Sequence, residues 1–169
     1  MCIRDSPTAM QSLYHPDGDK ASARAAEKFG TIYSMSTMAS FSIEEIANLS
    51  SGPKIFQLYI HKDQSITDDL IDRCKRANFN GMCITVDTIV AGNRERDHRT
   101  GFTTPPKFTL DSLMSFVMRP QWVFNYFTNK KFELANLKDK VEKGTNIAQS
   151  VMGYINEQYD PAMNWKDAE

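Results

Sequence analysis

The sequence predicts an α/β fold of parallel strands joined by crossover helices, and three observations carry that prediction. Short apolar runs begin at Thr31, Lys54 and Met82, separated by 23 and 28 residues. Helix-like stretches with capping signals lie between them, and this alternation at this spacing gives parallel strands. No G-x-G-x-x-G follows any of the runs, which argues against a dinucleotide-binding sheet and for a (β/α)8 TIM barrel. A complete barrel needs roughly 250 residues, whereas this chain has 169. The prediction is therefore a partial barrel, with about four βα units and a long loop after the fourth strand.

Met1–Asp5 shows no periodicity and reads as a remnant. Ser6–Met10 ends the first strand. Asp17 or Asp19 caps a helix running to Phe29, with Ala21, Ala25 and Phe29 on its apolar stripe and Gly30 as its stop. Thr31–Met35 forms the next strand and leads into Ser36. Ser42-Ile43-Glu44-Glu45 is a capping box that opens a short helix with Ile43, Ile46 and Ala47 inward. Gly52-Pro53 ends that helix, and the strand from Lys54 runs into Gln57-Leu58-Tyr59. Thr67 caps the following helix, Ile66 staples onto Ile71, and Leu70, Ile71, Cys74 and Ala77 form its apolar face. Asn80-Gly81 closes it, and Met82-Cys83-Ile84 runs into Thr85-Val86-Asp87.

Past Asp87 the alternation stops. Residues 88–161 are too long for an ordinary βα connection, and such loops usually carry function. Within them Leu110–Phe127 reads as one helix rich in aromatic and apolar residues, and Val141–Tyr154 as a weaker one. Breaks stand at Thr103–Pro106 and Asp160-Pro161, and a last helix begins at Met163. The whole chain reads as one incomplete domain, residues 1–169, with 88–161 as an active-site loop region.

Bulk properties exclude several classes. The chain is 41% hydrophobic and 24% charged with a net charge of −1, so it offers no global field for nucleic acid. No apolar run reaches the roughly 20 residues of a membrane span, and no signal peptide is visible. Cys2, Cys74 and Cys83 form no CxxC pair. Cys74 and Cys83 read as reduced, buried small hydrophobes, which favours a reducing, cytoplasmic compartment. His15, His61 and His98 are scattered without metal-ligand spacing, so no metal site is expected.

The chemistry concentrates at the strand ends. Side chains alternate along a strand, so Gln57 and Tyr59 share one face, as do Thr85 and Asp87. Buried parallel strands normally read as continuous apolar runs. Polar groups at equivalent carboxyl ends need a partner, and a ligand is the natural one. The last strand continues into Gly92-Asn93-Arg94-Glu95-Arg96-Asp97-His98-Arg99, a cationic loop suited to an anionic ligand. The plain structural alternatives are a satisfied core amide for Gln57, an ordinary strand threonine for Thr85, a loop cap for Asp87 and solvated charges for the arginines.

Phe56-Gln57-Leu58-Tyr59, Thr85-Val86-Asp87 and Gly92-x-Arg94-Glu95-x-Asp97-x-Arg99, followed by Phe102 and Pro105-Pro106, resemble the FMN-dependent 2-hydroxy acid dehydrogenases and oxidases. That family includes glycolate oxidase, lactate oxidase and respiratory L-lactate dehydrogenase. The resemblance runs from about Ser6 to the end and is strongest to the bacterial lactate dehydrogenase-like branch. It implies a (β/α)8 barrel with FMN at the carboxyl mouth. Pro7-Thr8-Ala9 resembles the first-strand segment lying against the flavin. Ser36 resembles the serine that contacts FMN, and Gln57 and Thr85 the pair that hydrogen-bonds the flavin ring. Tyr59 resembles the tyrosine facing the substrate, Arg94 an arginine near its carboxylate, and Asp87 the carboxylate supporting the catalytic histidine.

The implied reaction is oxidation of an L-2-hydroxy acid, L-lactate foremost, to the 2-keto acid. The acceptor is a quinone, a cytochrome or oxygen, and the full-length enzyme is a homo-oligomer. The chain departs from the family pattern in having Ile89 where a proline commonly stands and Met38 where many members carry an aromatic. The family's flavin-contacting lysine, proton-abstracting histidine and phosphate-binding strands fall beyond Glu169, so the chain resembles an amino-terminal half. Two alternatives stand beside this one. One is a non-catalytic fragment or decayed paralogue. The other is a further FMN barrel enzyme such as a type 2 isopentenyl diphosphate isomerase, against which Tyr59 and the Arg94 loop argue. Leu110–Phe127 has two readings of its own: a flap on the barrel or a neighbouring subunit, or a membrane-surface segment flanked by Arg119, Lys130 and Lys131.

Overall fold

Three strands pair in the order of the sequence. In the computed structural model, β1 (Tyr33–Ser36), β2 (Lys54–Leu58) and β3 (Gly81–Ile84) form a parallel sheet in the order β1-β2-β3. Residues 6–86, 95, 99, 110–128 and 133–137 are described. Tyr33 pairs with Lys54 and Ser36 with Gln57, while Gln57 pairs with Cys83 and Leu58 with Ile84. The crossovers are α2 (Ile43–Leu49) between β1 and β2, and α3 (Gln64–Arg76) between β2 and β3. An earlier helix, α1 (Gly18–Lys28), leads into β1. Met1–Asp5, Asp87, Arg94 and the expected helices Val141–Tyr154 and Met163 onward lie outside the described residues.

Register divides the sheet into two chemistries. Tyr33, Met35, Phe56 and Leu58 point to one face and join Ile43, Ile46, Leu70 and Cys74 in the core. Phe79 meets Phe56 edge-on at 6.2 Å. Each such fully buried side chain contributes about 1.5–3 kcal/mol over an exposed one. Ser34, Ser36, Gln57, Cys83 and Thr85 share the opposite face by strand alternation. Lys54 is buried, and its ammonium donates to the carbonyls of Ser50 at 2.7 Å and Gly52 at 2.8 Å. Burial lowers its pKa, against the opposing pull of Glu27.

Helix ends decide where strands begin. Helices α1 and α3 both close in the same motif. After α1, Gly30 sits at φ 65° and donates to the Glu27 carbonyl, while Thr31 donates to Ala26. After α3, Asn78 sits at φ 54° and donates to Lys75, while Phe79 donates to Cys74. These are paired 5→2 and 6→1 closures around a left-handed residue, which turn the chain sharply into the strand. The stop expected at Asn80-Gly81 therefore falls at Asn78. Asn80 instead accepts from the Lys54 N–H at 2.9 Å and fixes the start of β2.

Several local expectations are corrected. Ser6–Met10 is not a strand. Met10 takes the left-handed conformation at φ 54° and donates one backbone hydrogen bond to the Met38 carbonyl at 3.0 Å. Ala21, Ala25 and Phe29 are exposed, and α1 buries Asp19, Ala23 and Ala26. The face is chosen by Asp19, which accepts from the Ser40 N–H at 2.9 Å and the Tyr33 hydroxyl at 3.3 Å. Burial raises the Asp19 pKa, and those two bonds hold it back. The Ser42–Glu45 capping box forms in full.

Asp63, not Thr67, caps α3, accepting from the Ser65 N–H at 3.0 Å. Thr67 lies within the helix, where its hydroxyl accepts from the His61 N–H at 3.1 Å, and Ile66 is buried as a core residue rather than a staple. Cys74 is buried as expected, but Cys83 is exposed on β3, which has no further strand beside it among the described residues. Burial pushes the Cys74 thiol up to about 12.

The expected single helix Leu110–Phe127 is two, α4 (Leu110–Val117) and α5 (Pro120–Thr128). Pro120 lacks an N–H and its ring clashes with the preceding turn, so it ends one helix and starts the next. Beyond them, Leu134 and Leu137 return to the core. Asn136 accepts from the Ile43 N–H at 3.0 Å, and Arg73 clasps Glu44 at 2.7 and 2.8 Å.

Candidate functional site

The carboxyl ends of the three strands carry a continuous side-chain bridge. The Ser36 hydroxyl donates to Gln57 Oε1 at 3.1 Å, and Gln57 Nε2 donates to the Thr85 hydroxyl. One residue from each strand end is therefore joined across β1, β2 and β3. Register explains the meeting. Ser36 pairs directly with Gln57, and Thr85 follows β3 on the same face, its N–H donating to the Leu58 carbonyl at 3.0 Å. Gln57 is buried, so its amide must be satisfied.

Capacity remains at this bridge. A glutamine amide has two donors and two acceptor lone pairs. The bridge uses one N–H and one lone pair. A second N–H, a second lone pair and the Thr85 hydroxyl proton are left over. Leftover donors and acceptors of this kind suit a ligand that presents both carbonyl and N–H groups. Ser34 Oγ, two residues deeper on the same face, is buried and makes no hydrogen bond among the described residues.

Thr37 was missed by the sequence reading. Its hydroxyl donates to the Gln57 carbonyl at 2.6 Å and accepts from the Tyr59 N–H at 3.2 Å. Thr37 N–H also donates to the Gln57 carbonyl at 3.0 Å. It extends the β1–β2 pairing past the last ladder residue and fixes the backbone that carries Tyr59. The available signal was a hydroxyl residue directly after the Ser36 strand end. Ser36 is further held because its oxygen accepts from the Met38 N–H at 3.2 Å.

Tyr59 follows β2 and is partly buried against the core. Ala9 is partly buried while Pro7 and Thr8 are exposed. The Met10–Met38 bond holds this segment two residues past Ser36. Thus Ser36, Gln57, Tyr59 and Thr85 come to one end of the sheet, Met10 ties the Pro7–Ala9 segment to the loop after Ser36, and Asp87 and Arg94 lie outside the described residues. Arg99 pairs with Glu95 at 3.4 Å with both side chains well exposed, a solvated helical-spacing pair. A cleft of about 470 Å³ lined by Ser50, Lys54, Ala77 and Asn80 opens at the amino ends of the strands, away from the bridge. No group of three or more metal-ligating side chains occurs among the described residues.

Comparison with known proteins bears on the family and the fold. Glycolate oxidase 1 of Zea mays is 36% identical over 169 residues, covering 100% of this chain and 40% of the relative. Glycolate oxidase of Spinacia oleracea is 37% identical over 167 residues, covering 99% of this chain and 39% of the relative. The chain thus spans about two fifths of the length of these curated relatives. Among solved structures, the monotopic membrane protein (S)-mandelate dehydrogenase matches with a TM-score of 0.85 and 27% identity, over 98% of this chain and 43% of that one. A mandelate oxidase matches at a TM-score of 0.67 and 30% identity, over 98% and 38%. The FMN-dependent dehydrogenase family model matches residues 1–169. With the family model matched along its whole length and these relatives and structures beside it, the chain belongs to the FMN-dependent dehydrogenases, in the 2-hydroxy acid oxidase and dehydrogenase group.

Proposed function

We propose that the protein carrying this sequence oxidises a small L-2-hydroxy acid, L-lactate first among them, to the 2-keto acid. The observation that carries this is the Ser36–Gln57–Thr85 bridge across three strand ends. Bound FMN supplies the two-electron acceptor for the substrate C2 hydrogen. The protein's own part is placement. Gln57 and Thr85 hold the ring edge, Ser36 holds Gln57, and the Pro7–Ala9 backbone lies along the flavin. Tyr59 offers its hydroxyl to the substrate. Arg94 binds the substrate carboxylate through its planar guanidinium, and Asp87 supports the catalytic base.

A second element of the proposal is peripheral membrane contact, on the inner face of the plasma membrane in an otherwise cytoplasmic enzyme, with a quinone as acceptor. Supporting it, Leu110, Leu113, Met114, Val117 and Met118 recur at helical spacing along α4 and just past its end, all exposed. Phe124 and Phe127 of α5 are exposed too. No helix among the described residues is long and apolar enough to cross a membrane, so the segment would lie on the surface.

The test is a panel of glycolate, L-lactate and L-mandelate with the full-length protein loaded with FMN. L-lactate turnover that falls at least tenfold in Tyr59→Phe, with flavin content unchanged, supports the assignment. The expected loss follows from one hydrogen bond to a polarised group, about 1.5–3 kcal/mol. No oxidation of any 2-hydroxy acid by FMN-loaded protein would overturn it. Flotation with anionic vesicles tests the membrane element, and protein that stays wholly at the bottom would remove it.

A further inference from the structure

Trp122 is built into two environments at once. Its ring lies stacked between Phe116 at 5.4 Å and Tyr126 at 5.3 Å, which fastens α4 to α5. Its Nε1–H leaves that stack and donates to the Leu13 carbonyl at 3.0 Å, across 109 residues of chain. Indole is donor-only, and a half-buried indole N–H needs an acceptor.

Leu13 ends a single 3-10 turn, Gln11–Leu13, that is bolted down from several directions. Leu13 N–H donates to the Met10 carbonyl at 3.1 Å, and Met10 N–H donates to Met38 at 3.0 Å. Ser12 N–H donates to the Ser40 hydroxyl at 3.1 Å. Gln11 accepts from the Ser22 hydroxyl at 2.7 Å and reaches back to the Thr8 carbonyl at 3.4 Å. Gly18 packs on the same turn so tightly that a Cβ there would sit 2.9 Å from Ser12 N. The turn is therefore a stiff body. Its upstream side is Pro7–Thr8–Ala9, and its downstream carbonyl is the one Trp122 holds.

We propose that Trp122 is a positioning residue for the flavin site. Through the Gln11–Leu13 turn it couples the α4–α5 pair to the Pro7–Ala9 segment. The proposal rests on the reading that Pro7–Ala9 lies along the flavin. The coupling is reciprocal by linkage: if the indole bond favours FMN binding, FMN binding favours the docked α4–α5 pair by the same factor. A surface that engages the exposed faces of α4 and α5 would then be felt at the flavin without touching it.

The experiment uses the full-length protein with and without FMN, beside Trp122→Phe. Phenylalanine keeps an aromatic between Phe116 and Tyr126 but has no N–H to give Leu13. The variant is expected to bind FMN about fivefold or more weakly. In the wild type, FMN loading should slow amide exchange in residues 110–128, and in the variant that slowing should shrink. A merely structural tryptophan would lower stability and leave the FMN-dependent part of the exchange intact. Equal FMN affinity in both proteins overturns the coupling. If the variant does not fold, the wild type alone decides, because exchange in 110–128 indifferent to FMN also overturns it. FMN uptake with an indifferent α4–α5 pair sinks the coupling alone, whereas a wild type that takes up no FMN sinks the functional reading and the coupling together.

Discussion

Asn136 accepts a hydrogen bond from the backbone N–H of Ile43 at 3.0 Å, 93 residues earlier in the chain. Ile43 is the first residue of α2, so its N–H has no partner within the helix. Arg73 of α3 donates to the same Asn136 oxygen and to the Asn136 carbonyl, both at 3.3 Å, while clasping Glu44. One amide thus closes a helix end and joins α2 to α3.

Asn136→Ala should cost about 1–2 kcal/mol, the loss of a cap plus an unsatisfied buried N–H. Asn136→Asp keeps the acceptor and adds a charge beside Arg73, so it should recover most of that loss. Urea midpoints of the full-length protein and both variants check the order. An Asn136→Ala midpoint equal to wild type would show that solvent satisfies Ile43 as well.

Gln57→Leu should empty the proposed flavin site without unfolding the sheet. The swap conserves shape but removes both ends of the bridge, leaving the Ser36 and Thr85 hydroxyls without their buried partner. FMN affinity in the full-length protein should fall at least tenfold, about 1.4 kcal/mol or more. Fluorescence titration of free FMN measures it, with circular dichroism confirming the fold. Undiminished affinity would assign Gln57 to the core.

His61 predicts a pH dependence. Its imidazole is fully buried, and desolvation lowers its pKa from 6.5 to about 4, against the raising influence of Asp63. The unfolded chain therefore takes up a proton between pH 6.5 and about 4 that the folded chain refuses. Stability is fully present above 6.5 and declines as pH falls through that window, by up to about 3 kcal/mol. His61→Gln should flatten this limb. Glu44 acts lower down: bonding to Arg73 lowers its pKa from 4.5 to about 2, so its contribution is lost as pH falls from 4.5 toward 2. Its side chain is half exposed, and solvent screening keeps that contribution below about 1 kcal/mol. An unchanged pH profile in His61→Gln would contradict the burial argument.

Two glycines separate conformational cost from steric cost. Gly30 has φ 65°, and a Cβ there would meet nothing within 4 Å. Gly30→Ala should cost only the left-handed penalty, about 1–2 kcal/mol. Gly18 has φ 36°, and its Cβ would lie 2.9 Å from Ser12 N and Oγ. Gly18→Ala must also displace backbone of the Gln11–Leu13 turn, so its loss should be clearly the larger. Thermal midpoints that rank the two the other way would contradict this packing.

The legible parts of the sequence were those where local chemistry agrees with the fold. Gly30 as a stop and the Ser42–Glu45 box rest on contacts within a few residues, and the β2 start at Lys54 was marked by the Gly52-Pro53 break before it. Ser36, Gln57 and Thr85 were readable as polar residues ending three apolar runs, and the family resemblance joined them as one set; alternation alone paired Gln57 with Tyr59 and Thr85 with Asp87. What misled was tertiary. An apolar stripe through Ala21, Ala25 and Phe29 fits helical spacing, but Asp19 must reach Ser40 and Tyr33, so α1 turns its other side inward. Thr67 looks like a cap, yet its hydroxyl serves His61 while Asp63 closes the helix. The break at Pro120 was overridden by the length of the aromatic run around it.

The sheet order β1-β2-β3 also describes a sequence of events. Each strand pairs with the one made just before it, so the ladder can lengthen as the chain leaves the ribosome, with no wait for distant partners. The exception is Leu134–Leu137, which fills the core beside α2 and α3 from far downstream. Until about fifty residues after β3 have been translated, that groove faces water. Nascent chains that stop short of Leu134 should therefore be cut faster by added protease than chains that extend past Leu137.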